Sequence, residues 1–192
     1  MVDNMARTKE FDVDRVLDAA VAVFREHGYA GASASMLTGA MKIGRQSLYD
    51  TFGDKWKLYC AAVRRYSDAE CQAHLDALAG SERAIDGLGS MMARVVAEAR
   101  RPCLGVSSIS EFGSSNKDLC RLHESRGRAL RKALSAKIAQ AQAQGDVNSL
   151  LDAEQAAAFL VANVAGIRLS ARGGAGDAEL KALGQLALQA LR

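Results

Sequence analysis

A short polar stretch in the first third of the chain carries side chains that suit contact with nucleic acid. Arg45 and Gln46 can form paired hydrogen bonds with base edges in a major groove. Tyr49 has a hydroxyl at the end of a rigid ring and Lys55 has a positive charge, so both suit contacts with backbone phosphates. These residue types at this spacing predict binding to double-stranded DNA. Two alternatives stay open, namely that Tyr49 is a core ring and that Lys55 is an ordinary solvated lysine.

The distribution of charge supports this interpretation better than the total charge does. The formal net charge is +3, and residues 1–60 carry eight Lys or Arg against eight Asp or Glu. Four cations nevertheless fall within sixteen residues, opposed only by Asp50 and Asp54: Lys42, Arg45, Lys55 and Lys57. Arg7 and Lys9 add charge on a predicted N-terminal arm. A local basic patch predicts an anionic partner, although charges scattered over a solvated surface would have the same composition.

Two short helices are predicted to position these residues. The apolar spacing predicts a first helix over 12–27, which Gly28 ends, and a second helix over 34–41. Residues 42–44 break the pattern, and a third helix is predicted over 45–51. Short helices joined by a tight turn are typical of a helix-turn-helix, whose second helix enters the major groove.

The rest of the chain predicts longer helices and no strands. Asp54 is a good cap for the fourth helix, and Pro102, the single proline, ends the fifth. The predicted helices cover 54–78, 82–101, 103–112, 116–144, 152–171 and 178–191. Hydrophobic residues make up 49% of the chain and aromatic residues 5%, which favours closely packed helices over sheets. We therefore expect an all-α protein.

Neither a secretion signal nor a membrane span is expected. The N-terminus MVDNMARTKEF lacks an apolar stretch, and eighteen consecutive apolar residues occur nowhere. We therefore expect a cytoplasmic protein whose four cysteines are thiols: Cys60, Cys71, Cys103 and Cys120.

The histidines give little indication of a metal site. Cys120 and His123 lie one helical turn apart and could supply half of a site, but an ordinary thiol near a surface imidazole is the favoured alternative. His27 and His74 are expected at the surface. No metal, cofactor or catalytic residue is predicted.

The N-terminal segment resembles the DNA-binding module of the TetR family of transcriptional regulators. The resemblance covers about residues 10–59 and is carried by Gly28-Tyr29, Ser33, Leu37, Ile43, Ser47-Leu48-Tyr49, Phe52-Gly53 and Lys55. Two positions depart from the family pattern. Lys42 stands where the turn glycine is usual, and Gly44 stands where Ser or Thr caps the recognition helix.

The resemblance implies an N-terminal three-helix helix-turn-helix module and a C-terminal helical ligand-binding and dimerisation domain. We expect the DNA-binding domain over 1–53 and the effector-binding and dimerisation domain over 54–192. The expected DNA contacts come from Ser33, Arg45, Gln46, Ser47, Tyr49, Thr51 and Lys55. The expected function is repression at operator DNA, ended by a small-molecule effector or by thiol modification. A small helical enzyme or interaction module with a fortuitous helix-turn-helix pattern is the alternative.

The last two long helices are expected to form a homodimer. Their apolar faces exceed what one small domain can cover, and Ala162, Ala165 and Gly166 permit close approach of a second copy.

An apolar cavity in the C-terminal domain could hold the effector. Its expected lining is Met92, Val96, Cys103, Leu104, Ile109, Phe112, Phe159 and Asn163. For most of these positions a plain core residue is the favoured alternative.

Cys103 is the cysteine best placed to sense an oxidant or electrophile. It follows Arg100, Arg101 and Pro102, and a helix that begins there would add the positive end of its dipole. Both features favour the reactive thiolate. Some TetR-like regulators carry a similar Cys-Leu pair at this point. A small buried hydrophobe in the core is the favoured alternative.

Overall fold

This computed structural model describes residues 11–192, and most of these residues lie in helices. The first four helices are α1 (Val13–Gly31), α2 (Ala34–Met41), α3 (Arg45–Phe52) and α4 (Lys55–Ala79). The next five are α5 (Ala84–Ala97), α6 (Leu104–Phe112), α7 (Lys117–Ala143), α8 (Ala153–Arg172) and α9 (Asp177–Gln189). No strand occurs among these described residues, and the all-α prediction is confirmed. Within that range no helix has the length and hydrophobicity that a transmembrane span requires.

Side-chain caps begin α2 and α4, and the cap at Asp54 is the one that the sequence predicts. Ser33 Oγ accepts a hydrogen bond from the Met36 amide at 3.1 Å, and Asp54 Oδ1 accepts one from the Lys57 amide at 2.8 Å. Each bond satisfies an amide that has no partner within its own helix, which contributes about 1 kcal/mol.

The first helix extends beyond the predicted end. Gly28 adopts φ 65° and ψ −173°, a break that glycine tolerates because it lacks a Cβ. Helical structure nevertheless resumes and α1 ends at Gly31. The added turn is held by Tyr29, whose ring lies edge-on to the rings of Trp56 and Tyr59 at centroid distances of 5.3 and 5.2 Å.

The turn between α2 and α3 places a lysine in the left-handed region. Lys42 has φ 54° and ψ 39°, and it is the one residue other than glycine with positive φ in the described part of the chain. The Ile43 amide closes the turn by donating to the Thr38 carbonyl at 3.3 Å. A non-glycine residue in this region costs about 1 kcal/mol, so the expected strain at Lys42 is present.

Buried side chains hold α1, α2 and α3 to the start of α4. Phe24 and Tyr59 have no exposed surface and their rings pack edge-on at a centroid distance of 5.0 Å. Leu37 of α2 and Leu48 of α3 are similarly buried.

Arg65 joins α4 to α1. Its guanidinium donates from Nη1 to Asp14 and from Nη2 to Asp18, both at 2.8 Å. The first compact unit of the chain accordingly ends at Arg65, and the second begins at Tyr66.

The fifth helix is shorter than predicted at both ends. It begins at Ala84, whose amide donates to Gln144 Oε1 at 2.8 Å, and it ends at Ala97 rather than at the residue before Pro102. Tight turns follow, in which the Arg101 amide donates to the Glu98 carbonyl at 3.0 Å. The residue before a proline disfavours helical geometry, and here the chain has already left the helix several residues earlier.

The core of the second unit is centred on α5. Gly184 lets α9 approach this helix, because a Cβ at that position would lie only 2.8 Å from Val96 Cγ2. The α5 side chains pack with apolar residues of α7 and α8: Leu88, Met91, Met92 and Val95 with Leu134, Ile138, Leu160 and Ile167.

Candidate nucleic-acid interface and effector site

One side of α3 is buried and the opposite side is polar. Leu48 is 2% exposed and fixes the helix in the first unit. Because an α-helix has about 3.6 residues per turn, Gln46 and Asp50 straddle the direction opposite Leu48, and both are exposed. Tyr49 beside them is 38% exposed, so the alternative of a core ring does not hold. We call Arg45, Gln46, Tyr49 and Asp50 the outer face of α3.

The outer face of α3 contains an internal hydrogen bond. Gln46 Nε2 donates to Asp50 Oδ1 at 2.8 Å across one turn of the helix. Within residues 11–192, the two side chains form no hydrogen bond with any other side chain. Their remaining donors and acceptors therefore face solvent.

The N-terminus of α3 has no side-chain cap, as the sequence predicts. Gly44 precedes Arg45 and makes no side-chain bond to the first amides of the helix. The free amides at a helix N-terminus favour an anion such as a phosphate.

Lys55 begins α4 and is not an ordinary solvated lysine. It is half-buried, and its ammonium lies 4.5 Å from the centroid of the Tyr29 ring. Attraction between the cation and the ring restricts where this charge can lie.

The remaining predicted contact residues lie around α3. Ser33 caps α2, and its hydroxyl also lies 2.9 Å from Ser35 Oγ. Ser47 and Thr51 are half-buried on α3. The seven predicted residues thus come from α3 and from the starts of α2 and α4, all within the first unit. The two arm residues, Arg7 and Lys9, lie outside the described residues.

The predicted effector residues do not all line one cavity. Met92 and Val96 line a groove between α5 and α9 that contains none of the other six. Ile109 is 52% exposed and Phe159 is 43% exposed, so neither side chain lies in the core. The Asn163 side chain donates from Nδ2 to the Phe159 carbonyl at 2.9 Å. The others are buried or half-buried: Cys103, Leu104 and Phe112.

The groove between α5 and α9 has a volume of about 340 Å³. Its floor is apolar, and Lys181 and Gln185 lie one turn apart on its α9 side. Gly89 leaves it open, since a Cβ there would meet nothing within 4 Å. The groove suits a ligand with an apolar body and a polar or anionic head.

A buried charged cluster lies in the second unit, and the sequence analysis missed it. Arg168 of α8 is 3% exposed, and its guanidinium lies 2.5 Å from Glu70 Oε2. Arg94 of α5 donates to Glu70 Oε1 at 2.8 Å. Burial opposes ionisation of Glu70, but the Arg94 hydrogen bond and the Arg168 charge lower its pKa below the ordinary value.

His74 belongs to this cluster, so its prediction as a surface residue is wrong. Its side chain is 5% exposed, and Nδ1 lies 3.2 Å from Arg94 Nη1. Burial, with help from the Arg94 charge, lowers the pKa of His74 from 6.5 to about 4. The neutral ring therefore accepts the Arg94 hydrogen bond at neutral pH. Glu70, His74 and Leu78 are spaced four residues apart and therefore lie on one face of α4. This spacing was the signal in the sequence that could have indicated that His74 is buried. His27 is exposed, as expected.

Cys103 lies at the N-terminal cap of α6 and is half-buried. The Ser107 amide donates to its carbonyl at 2.9 Å, which begins the helix. Its side chain lies beside Tyr66: burial raises the pKa of that phenol, and the neighbouring Cys103 raises it further. Arg168 interacts electrostatically with both side chains.

The arginines that precede Cys103 have other partners. Arg100 lies 2.6 Å from Asp177 at the start of α9, and Arg101 lies 3.9 Å from Glu98. The buried Arg168 is therefore the cation that the fold brings to the thiol, which sequence adjacency did not predict.

His123 is half-buried rather than at the surface. Its Nε2 lies 2.8 Å from Ser108 Oγ, and burial lowers its pKa. Cys120 points instead to the Gly113 carbonyl, at 3.6 Å. In the part of the chain that the structure describes, no group of three or more His, Cys, Asp or Glu residues could hold a metal ion.

An exposed apolar strip runs along α8. Phe159 and Leu169 are 43% and 60% exposed, and Ala162, Ala165 and Gly166 between them are exposed as well. We call these five residues the α8 strip. Exposed apolar side chains grouped on one helix face are typical of protein–protein contacts.

Two family models match the chain. Residues 16–62 match the model of bacterial regulatory proteins, tetR family, and residues 82–182 match the tetracyclin repressor-like C-terminal domain. The first match covers most of α1, all of α2 and α3, and the start of α4. The second covers most of the helices that follow.

Curated and solved relatives agree with these matches. The uncharacterised HTH-type transcriptional regulator YezE of Bacillus subtilis is 32% identical over 149 residues, 75% of this chain and 77% of the relative. The HTH-type transcriptional repressor ComR of Escherichia coli is 28% identical and covers 97% of this chain and 90% of its own. A cysteine mutant of the TetR family transcriptional regulator CifR, complexed with 26-bp double-strand operator DNA, has a TM-score of 0.80 and 27% identity over 95% of this chain and 97% of its own. The chain therefore belongs to the tetR family of bacterial regulatory proteins and is a DNA-binding transcriptional regulator of that type.

Proposed function

We propose that this regulator is a homodimeric repressor that binds double-stranded operator DNA through α3 and is released by an effector. The outer face of α3 carries the proposal. Leu48 is buried while Gln46, Tyr49 and Asp50 are exposed, so the helix is fixed on one side and polar on the other. A short helix of this kind fits a major groove, which is about 12 Å wide.

Each proposed contact residue has a distinct role. Arg45 and Gln46 contact base edges, because their side chains carry the donors and acceptors that bases recognise. Tyr49 and Lys55 contact phosphates, and the Tyr29 ring supports the Lys55 ammonium. Polar contacts from Ser33, Ser47 and Thr51 complete the proposed interface.

The relatives support this assignment. The CifR structure is a complex with operator DNA, and ComR is named a repressor. Because a bacterial operator lies on cytoplasmic DNA, the proposal also assigns the protein to the cytoplasm and gives it no catalytic role.

We propose a functional boundary between Gly53 and Asp54, with DNA binding in 1–53 and effector binding and dimerisation in 54–192. The compact unit that ends at Arg65 is longer because the first turns of α4 brace α1. In the dimer, the α8 strip packs against the same strip of a second copy. Ala162 and Gly166 suit this role because small residues let two helices approach closely.

Two routes of release are proposed. In the first, an oxidant or electrophile modifies Cys103, which lies at the start of α6 and interacts electrostatically with Arg168. In the second, a small molecule binds in the C-terminal unit, and the groove that contains Met92 and Val96 is the cavity we favour. The two routes differ in whether Cys103 is required.

Recovery of bound genomic DNA tests the proposed function. Purified protein is mixed with sheared DNA of its own organism, and the retained fragments are sequenced. We expect enrichment of a short sequence with two related half-sites. The control variant Lys181→Ala, which removes a cation from α9, should enrich the same sequence. Retained DNA that matches the input would contradict the proposal and favour a helical enzyme or interaction module.

A further inference from the structure

Gln46 and Asp50 occupy the centre of the outer face of α3 as a bonded pair. We infer that they act together to select an amino-bearing base, adenine or cytosine, on the DNA strand that they face. The inference rests on the proposed operator binding and adds to it the chemistry of one base position.

The hydrogen bond within the pair fixes the orientation of the Gln46 amide. Its nitrogen donates to Asp50 Oδ1 at 2.8 Å, so its oxygen points away from the carboxylate. A glutamine without such a partner can turn its amide over and offer either end to a base. Here the pair offers a defined set of atoms.

The atoms that remain are mainly acceptors. Asp50 keeps one carboxylate oxygen, and Gln46 keeps its carbonyl oxygen and one N–H. In the major groove, adenine N6 and cytosine N4 are the amino donors, whereas guanine O6 and N7 and thymine O4 are acceptors. Acceptors on the protein bind the amino groups and are repelled by guanine and thymine oxygens.

In the major groove each base pair presents one amino group, which lies on one of the two strands. The preference therefore takes the form of adenine or cytosine rather than guanine or thymine on the strand that faces the pair. It does not take the form of a simple A·T or G·C preference.

The negative charge of Asp50 also has an effect on all DNA. No cation of the described residues forms an ion pair with this carboxylate, so its charge repels phosphates at every site. Asp50 therefore weakens non-specific binding while it adds discrimination at one position. This combination separates its role from that of a surface charge elsewhere on the unit.

Selection from a random duplex library tests the inference. Wild type, Asp50→Ala, Gln46→Ala and Glu26→Ala are used to select bound duplexes, which are then sequenced. Glu26 is a matched control, because it is an exposed carboxylate on α1. All three substituted residues are exposed, and circular dichroism checks that each variant is folded.

We expect wild type to favour adenine or cytosine by roughly tenfold at one position in each half-site. Asp50→Ala and Gln46→Ala should reduce this preference to less than about twofold at the same position and leave the other positions unchanged. Asp50→Ala should also bind unselected duplexes a few times more tightly, as should Glu26→Ala, which keeps the preference. A selected motif that Asp50→Ala leaves unchanged would overturn the inference alone. Failure of wild type to select any motif would overturn the proposed function as well.

Discussion

Arg168 of α8 lies 2.5 Å from Glu70 of α4, and only 3% of the arginine surface is exposed. The same carboxylate also binds Arg94 of α5 at 2.8 Å, so one anion serves two guanidinium groups. A buried charge is tolerated only when it is paired and hydrogen-bonded. Glu70 therefore ties together three helices of the second unit.

Removal of Glu70 should be strongly destabilising. Glu70→Ala leaves Arg94 and Arg168 without their shared partner, and we expect the free energy of unfolding to fall by about 3 to 5 kcal/mol. Asp68→Ala is the control, because Asp68 pairs with Arg126 where both side chains are more exposed. Its expected cost is less than about 1 kcal/mol. Equal losses for the two variants in urea denaturation would contradict a structural role for the cluster.

His74 should make stability depend on pH between about 6.5 and about 4. Its pKa is about 4 in the folded protein, against an ordinary value of 6.5. Above pH 6.5 the ring is neutral in both states and its stabilising contribution is fully present. Between the two values the unfolded chain binds a proton that the folded chain does not. The free energy of unfolding therefore decreases as the pH is lowered from 6.5 to 4, by roughly 3 kcal/mol in all.

Two glutamine variants isolate this effect. Unfolding is measured at several pH values for wild type, His74→Gln and His27→Gln, where His27 is exposed. We expect the dependence between pH 6.5 and 4 to shrink in His74→Gln and to be unchanged in His27→Gln. The idea fails if the three proteins show the same profile.

The helices of the N-terminal unit could be predicted because their signals are local. The predicted range of α2 agrees with the structure, in which Ser33 caps its start and Lys42 ends it in the left-handed region. The end of α5 was predicted wrongly, because turns formed by backbone hydrogen bonds leave no mark in residue type. Pro102 indicated only the last position at which α5 could end, and the helix ends before it, at Ala97.

The same distinction between local and long-range signals applies to the functional sites. The outer face of α3 follows from helical spacing around Leu48, which a sequence shows. The partners of Glu70 and Cys103 come from distant segments, since Arg168 follows them by many residues. Only folding brings such charges together, so the buried cluster and the cation beside Cys103 could not be read from neighbouring residues.

The α8 strip should be required for dimerisation. Leu169→Glu places a charge on a residue that is 60% exposed in one protomer, and we expect it to convert the dimer to a monomer at micromolar concentration. Leu150→Glu is the control, because Leu150 is 91% exposed but lies outside α8. Sedimentation that shows a monomeric wild type, or a dimeric Leu169→Glu, would overturn this interface.

Cys103 should react with thiol reagents before the other cysteines. It lies at the start of α6 with Arg168 nearby, whereas burial raises the pKa of Cys71 and slows its reaction. Labelling of native protein at neutral pH, followed by peptide mapping, gives the order. We expect Cys103→Ser to lose release of DNA by electrophiles and Cys71→Ser to keep it. Full release in Cys103→Ser would leave a non-covalent ligand as the effector.

Variants of the proposed interface should separate base contacts from phosphate contacts. Arg45→Ala should weaken binding to the selected operator by about 1 to 3 kcal/mol and leave binding to unrelated DNA nearly unchanged. Lys55→Ala should weaken both, because a phosphate contact carries no sequence information. Titrations at one fixed salt concentration compare them. Wild-type affinity in both variants would show that α3 and the start of α4 do not contact DNA.

The ratio of affinities for operator and scrambled duplex tests sequence-specific DNA binding most directly. Wild-type protein is titrated by fluorescence anisotropy into a labelled duplex recovered from its own genomic DNA, and into a scrambled duplex of equal length and composition. We expect the recovered duplex to bind at least about a thousandfold more tightly, and both affinities to fall as salt is raised. A ratio near one at every salt concentration would contradict the assignment of this chain as an operator-binding repressor.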